Sequence, residues 1–79
     1  MTRLSLSAVN PDVVAIHTVG GLHVGNLKHI GSCWKFKAVG YEPGGAVVPG
    51  GGPLTGQHNM VLPGPDPQVV NALLGPCLG

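Results

Sequence analysis

The segment Cys33–Tyr41 constrains the fold more than any other part of the chain. It holds the only Trp, the only Phe and the only Tyr, together with two of the four basic side chains. At the two-residue period of a strand, Trp34 and Phe36 point to one face while Lys35 and Lys37 point to the other. This alternation is typical of an antiparallel strand with one buried and one solvated face. We therefore expect other parts of the chain to cover the aromatic face.

Two further strands are predicted before this segment. Residues 13–19 are rich in β-branched side chains, and residues 22–29 follow them after Gly20 and Gly21. A Gly-Gly pair between two such segments predicts a two-residue hairpin turn, because these turns need positive φ angles. Together with the aromatic strand, the pattern predicts a three-stranded antiparallel meander over residues 13–41.

The remaining segments are predicted to add little to the sheet. Residues 1–12 form an N-terminal arm or edge strand that ends at an Asn-Pro turn. Residues 42–56 are rich in Gly and Pro and form a long loop, which in so small a domain is either functional or partly disordered. Residues 57–62 are a candidate short fourth strand.

The clearest helix signal covers residues 66–74. Asp66 is a favourable N-cap, Pro67 suits the first helical position, and a Gly-Pro pair ends the segment. So short a helix must dock to be stable, and we expect it to pack on the face of Trp34 and Phe36. The predicted fold class is α+β: one small domain with a three- to four-stranded antiparallel meander and one short C-terminal helix on one face.

The charge content limits the partners of the chain. Only 9% of the residues are charged, against roughly 25% in ordinary soluble domains. Four Lys and Arg side chains and a net charge of +1 do not make the dense basic face of a nucleic-acid module. A hydrophobic fraction of 43% with so few charges favours docking onto another protein or formation of a homo-oligomer.

The sequence also predicts a cytoplasmic protein. No apolar run approaches the length of a membrane-spanning helix, and residues 1–9 lack the apolar centre of a secretory signal. In the cytoplasm, or in the host cytoplasm if the protein comes from a phage, Cys33 and Cys77 are expected to be reduced thiols.

We predict no metal site. The turn at Gly20 and Gly21 would set Val24 opposite His17, so that His17 and His23 would lie on opposite faces of the sheet. The chain also lacks Cys-x-x-Cys and His-x-x-x-His pairs. The side chains considered as ligands are His17, His23, His29, His58, Cys33 and Cys77.

We also predict that the protein is not an enzyme and needs no cofactor. A nucleophilic site can be drawn from Cys33, a base such as His29 or His58, and an orienting carboxylate from Asp12 or Asp66. Nothing in the spacing selects these residues. The glycine runs lack the Gly-Lys-Ser/Thr ending of a phosphate-binding loop.

Two groups of side chains are the candidates for binding. The first is a basic stripe on the open sheet face, and the second is a polar run beside the Gly/Pro loop, since loops often carry binding residues. Each has a simpler alternative: lysines that keep the face soluble, and polar side chains that satisfy turn backbone. The candidates are Lys35, Lys37 and Tyr41 in the first group, with Lys28 at its margin, and Thr55, Gln57, His58 and Asn59 in the second.

The chain resembles small uncharacterised proteins of phages and prophages. The resemblance spans residues 22–74 and is carried by Gly25, the strand Trp34 to Tyr41, the Pro-Gly-Gly-Gly-Pro-Leu-Thr run and the short C-terminal helix. Proteins of this kind often inhibit host enzymes or defences, or form minor virion parts. The resemblance assigns no functional residue.

Taken together, these patterns predict a non-enzymatic protein-binding module, of the kind that acts as a phage-derived inhibitor or modulator of a host protein. The first alternative is a self-assembling structural protein, such as a virion-associated subunit. The second is a weak binder of single-stranded nucleic acid that uses Lys35, Lys37 and Tyr41.

Overall fold

A computed structural model describes residues 3–78 of the chain. The elements are β1 (Leu4–Asn10), β2 (Val13–Thr18), β3 (His23–Ile30), β4 (Cys33–Tyr41), β5 (Val47–Pro49), β6 (Val61–Leu62) and α1 (Pro67–Leu74), with short 3-10 turns at Thr55–Gln57 and Gly75–Leu78. The first four strands form an antiparallel meander. β5 and β6 both pair with the other edge of β4, β5 near its C-terminal end and β6 near its N-terminal end.

The sheet is therefore larger than the three to four strands that the sequence predicts. Residues 4–10 are a full edge strand, in register with β2 from Leu4 opposite Thr18 to Ala8 opposite Val14. Within residues 3–78 the strands number six, because the long strand β4 offers room for two short partners along one edge. The antiparallel sheet and the single C-terminal α-helix are as predicted.

The hairpin between β2 and β3 differs from the predicted two-residue turn. Its strands end at Thr18 and begin again at His23, and the Thr18 amide donates to the Leu22 carbonyl at 2.9 Å. Ile16 then pairs with Gly25 while His17 pairs with His23, which leaves Val24 as an extra, bulged residue on β3. The prediction that His17 and His23 lie on opposite faces is wrong, because the longer loop and the bulge together change the register.

The hydrophobic core lies between one face of the sheet and the elements that follow β4. We call this side the core face. The N-cap carboxylate of Asp66 accepts a hydrogen bond from the Gln68 amide at 2.8 Å, and the helix that begins there buries Val70 and Leu74 one turn apart. Among the strands, α1 lies against β1. The largest fully buried side chains are Phe36, Ile16, Leu27, Leu54, Leu62, Leu74, Val24 and Val70.

The side chain of Asn71 joins α1 to the outer edge of β1. Its Oδ1 accepts from the Leu4 amide at 2.7 Å, and its Nδ2 donates to the Leu4 carbonyl at 3.0 Å. Nδ2 also donates to the Pro67 carbonyl at 2.8 Å. The amide thus occupies the place that a peptide group of another strand would take, and it closes the edge at Leu4.

Asn71→Ala is expected to lower the free energy of unfolding by about 1–3 kcal/mol, because it leaves half-buried backbone groups at Leu4 without partners. Gln68→Ala is the matched control, since Gln68 is exposed on the same helix and uses only its backbone amide. Urea denaturation of both variants measures the difference. Equal stability of the two variants would contradict the role given to the Asn71 amide.

None of the helices among residues 3–78 is long and apolar enough to cross a membrane.

Candidate binding face of the sheet

Among residues 3–78, no element packs over the side of the sheet opposite the core face. The described elements outside the sheet that bury side chains, α1 and the segment around Leu54, pack on the core face with Phe36. Side chains on the other side alternate with the core residues along each strand. We call this side the open face, and its polar members include Ser5, Ser7, His17, His23, Asn26, Lys28, Lys35, Lys37 and Tyr41.

All three lysines of the chain lie on the open face. Lys28 on β3 pairs directly with Lys35 on β4, and Lys37 pairs with Asn26. Like charges placed directly opposite on neighbouring strands destabilise a sheet. No strand residue of this face is acidic, because the three carboxylates of the chain lie outside the strands. The face is therefore uniformly positive or neutral.

An aromatic cluster of His17, His23 and Tyr41 lies at the hairpin end of the open face. The His17 and His23 rings are stacked, with centroids 4.8 Å apart and an interplanar angle of 27°. His23 Nδ1 lies 2.8 Å from the Tyr41 hydroxyl, and His23 Nε2 lies 2.9 Å from Asn26 Oδ1. Both ring nitrogens of His23 thus have a partner.

One tautomer of a neutral His23 ring satisfies both contacts. The carbonyl oxygen of Asn26 only accepts, so Nε2 carries the proton of the neutral ring and donates it to Asn26. Nδ1 then accepts from the Tyr41 hydroxyl. The lone pair of Nδ1 therefore points toward the Tyr41 hydroxyl, and this contact is exposed on the open face.

The first group of predicted binding residues lies together on the open face. Lys35 and Lys37 are half-buried, and Tyr41 is exposed over 46% of its surface. Lys37 Nζ donates to Asn59 Oδ1, which ties the stripe to the following loop. The neighbours of Tyr41 on this face, namely His17, His23 and Asn26, are not among the predicted binding residues. Their positions depend on the hairpin loop and the bulge, and no local pattern marks a bulge at Val24.

The second group lies along the edge of β4, and much of its bonding is internal. Thr55 Oγ1 donates to the Gly50 carbonyl at 2.6 Å, and the Ala38 amide donates to His58 Nδ1 at 3.0 Å. Asn59 adopts a φ of 73°, and its amide donates to the Phe36 carbonyl at 2.7 Å. Thr55 and His58 thus match the alternative in which polar side chains satisfy backbone groups.

Gln57 differs from its neighbours in this run. Its side chain is half-buried and makes no hydrogen bond to other residues in the range 3–78. It lies in the 3-10 turn that follows Leu54, whose side chain is completely buried against the core. The segment from Leu54 to Asn59 is therefore held to the protein in two ways. Leu54 is buried in the core, and His58 and Asn59 form hydrogen bonds with the backbone of β4.

The hydrogen bond from Ala38 to His58 gives a sharp test of the role of this loop. His58→Leu is expected to lower the free energy of unfolding by about 1–3 kcal/mol, because the amide of the buried residue Ala38 loses its acceptor. His58→Asn is the matched variant, since its Oδ1 is an acceptor at a position similar to Nδ1. It should retain most of the stability in urea denaturation. Equal loss in both variants would show that the imidazole acts through packing and not through this bond.

Other titratable side chains are more dispersed. His29 stacks on Trp34 with centroids 4.8 Å apart, and its Nδ1 lies 3.4 Å from Asp12 Oδ1. Cys33 and Cys77 are free thiols. Residues 3–78 contain no group of three or more His, Cys, Asp and Glu side chains that is placed to hold a metal ion.

No family model, curated protein or solved structure was found to match the chain. The resemblance to phage proteins and the role that it implies therefore stay predictions.

Proposed function

We propose that the protein is a non-enzymatic binding module whose open face binds an acidic surface of another protein. The observation that carries the proposal is the concentration of all three lysines on one uncovered sheet face that has no acidic strand residue. The exposed ring of Tyr41 and the stacked histidines add aromatic contact area at one end of that face.

The pairing of Lys28 with Lys35 supports an anionic partner. Two ammonium groups directly opposite each other cost about 0.2–1 kcal/mol in the free protein. A carboxylate placed between them removes this repulsion, so part of the cost is recovered on binding. Complementary charge also accelerates association and makes it sensitive to salt.

An acidic peptide is the probe that tests this proposal. We expect a glutamate-rich peptide to shift the NMR signals of β3 and β4 on the open face, with an affinity that falls as salt is added. Lys35→Gln/Lys37→Gln should weaken binding at least about tenfold. Gln68→Glu/Ala72→Glu, on the exposed side of α1, changes the net charge by the same amount and should have little effect.

The outcomes separate the alternatives. Absence of peptide binding, or equal losses in both double variants, would overturn the proposal. Tighter binding of a single-stranded oligonucleotide than of the peptide, lost in the lysine variant, would favour the nucleic-acid alternative instead.

Lys28→Glu is expected to act in opposite directions on stability and binding. It replaces a repulsive cross-strand pair with an attractive one, so the free energy of unfolding should rise by about 0.5 kcal/mol. Binding of the acidic peptide should weaken, because the face loses two units of positive charge. Thermal denaturation and the NMR titration measure the two effects, and Lys28→Gln separates relief of repulsion from new attraction.

A second candidate function, self-assembly, is favoured by the outer edge of β1. The Asn71 contact shows that the backbone groups of Leu4 face outward, and those of Leu6 and Ala8 share this direction by alternation. Neither Leu6 nor Ala8 has a partner on that side among residues 3–78, and β1 carries no charge. An uncharged, unpaired edge is a template for a strand of a second copy.

Light scattering over a range of concentrations tests this second candidate. A dimer or larger oligomer that dissociates in Ala8→Pro, which removes the outward N–H, supports assembly through β1. A monomer at high concentration, or an oligomer that Ala8→Pro leaves intact, rules out this edge.

A further inference from the structure

The geometry points to a binding site for a divalent transition-metal ion, with Cu²⁺ preferred, made by His17, His23 and Tyr41 on the open face. The three side chains come from β2, β3 and β4, so the site is built on adjacent strands. The inference does not depend on an acidic partner, because it uses the hairpin end of the face and none of its lysines.

The spacing of His23 and Tyr41 suits two ligands of one ion. Their nearest atoms, Nδ1 and the hydroxyl oxygen, are 2.8 Å apart. Two ligands about 2.05 Å from a metal and at a right angle to each other lie about 2.9 Å apart. An ion that replaces the shared proton can therefore keep this separation between the two ligand atoms, while the His23 ring and the Tyr41 hydroxyl turn toward it.

His17 is placed to supply the third ligand. An imidazole centroid lies about 3.2 Å from a metal bound to its ring nitrogen, so two rings at angles of 90–110° have centroids about 4.5–5.2 Å apart. The observed separation between His17 and His23 is 4.8 Å. The χ2 torsion of histidine is broad, so the His17 ring can turn from the stacked orientation toward the ion at low cost.

Asn26 prepares His23 for this role. Ligating histidines in proteins usually donate their second ring N–H to a carbonyl or carboxylate, which holds the ring and its tautomer. Asn26 Oδ1 accepts from Nε2 at 2.9 Å and leaves the Nδ1 lone pair unprotonated and available to the ion. When the ion binds, the proton of the Tyr41 hydroxyl passes to solvent and the phenolate oxygen becomes the ligand.

The ligand set indicates which ion binds. Two imidazoles and one phenolate, with no carboxylate, do not suit Mg²⁺ or Ca²⁺, which prefer sets of hard oxygen ligands. Imidazole suits both Cu²⁺ and Zn²⁺, and divalent affinities rise to a maximum at Cu²⁺. Lys37 is the nearest lysine by register, and its ammonium group is turned to Asn59.

The test uses the full chain without a His-tag and with Cys33→Ser/Cys77→Ser, because free thiols bind and reduce Cu²⁺. Calorimetric titration with Cu²⁺ should give one equivalent bound, more tightly than Zn²⁺. His17→Ala and His23→Ala should each weaken binding at least about tenfold, and Tyr41→Phe should abolish the phenolate-to-copper charge-transfer band. His29→Ala is the matched control and should bind as the parent protein does.

Several results would overturn the inference. They are the absence of a one-equivalent site, a loss in His29→Ala as large as that in His17→Ala, and a visible band that persists in Tyr41→Phe. Circular dichroism of each variant, taken without metal, confirms that the variants are folded. The acidic-peptide titration is run without metal. Absence of peptide binding therefore does not bear on the copper site, and absence of copper binding does not bear on the acidic partner.

Discussion

Gly25→Ala is expected to lower the free energy of unfolding by about 3 kcal/mol or more. A Cβ atom at this position would overlap the Phe36 ring at Cε1 and Cζ and would lie 2.7 Å from the Lys37 carbonyl oxygen. The Phe36 ring is completely buried, so it cannot move aside without disrupting the core. A chain of this size has a total stability on the order of a few kcal/mol, and much of the variant should be unfolded at 25 °C.

Urea denaturation and the dispersion of the amide NMR spectrum measure this loss. Gly44→Ala is the matched control, because a Cβ there meets no atom within 4 Å. A second change, Phe36→Leu, should recover part of the stability of Gly25→Ala by making room, although it is destabilising in the parent protein. If the double variant is no more stable than Gly25→Ala, the overlap with Phe36 is not the cause.

Gly40→Ala is expected to detach the loop that follows β5 from the sheet, at a cost of about 3 kcal/mol. A Cβ on Gly40 would lie 2.5 Å from the Gly52 nitrogen and 2.9 Å from its Cα. Both atoms belong to backbone, which cannot rotate away as a side chain does. When the loop lifts, Leu54 loses its burial and Ala38 loses the acceptor on His58.

Hydrogen exchange distinguishes this local opening from global unfolding. The amides of Ala38 and Asn59 should exchange faster in Gly40→Ala, while the β2–β3 ladder remains protected. Gly56→Ala lies in the same loop and meets no atom within 4 Å, so it should leave exchange unchanged. Equal protection of Ala38 in the two variants would contradict the close packing of the loop on Gly40.

Local sequence patterns were sufficient for the elements that depend on neighbouring residues. The alternation along Cys33–Tyr41 identified a strand that is buried at Phe36 and polar at Lys35 and Lys37. Asp66 and Pro67 marked the start of the helix, and the side chain of Asp66 does cap it. In each case the cause lies within a few residues of the effect.

The features that could not be predicted depend on contacts between distant residues. The cross-strand pair of His17 and His23 requires both the hairpin loop and the bulge at Val24. Pairing of β5 and β6 with one edge of β4 depends on how the Gly-rich loop turns back, which no local pattern determines. His58 was predicted to be a recognition residue because it lies in a polar run beside a loop rich in Gly and Pro. It accepts a hydrogen bond from the Ala38 amide, because no strand among residues 3–78 lies opposite that part of the β4 edge to supply an acceptor.

The bond between Leu4 and Asn71 also bears on the order of folding. It joins residues 67 positions apart, so the chain entropy lost in closing this contact is large. We expect this contact to form after the transition state, with a φ-value near zero. Removing the Asn71 amide would consequently speed unfolding and leave the folding rate almost unchanged. The contact would thus set how long the protein stays folded, and hardly affect how quickly it folds.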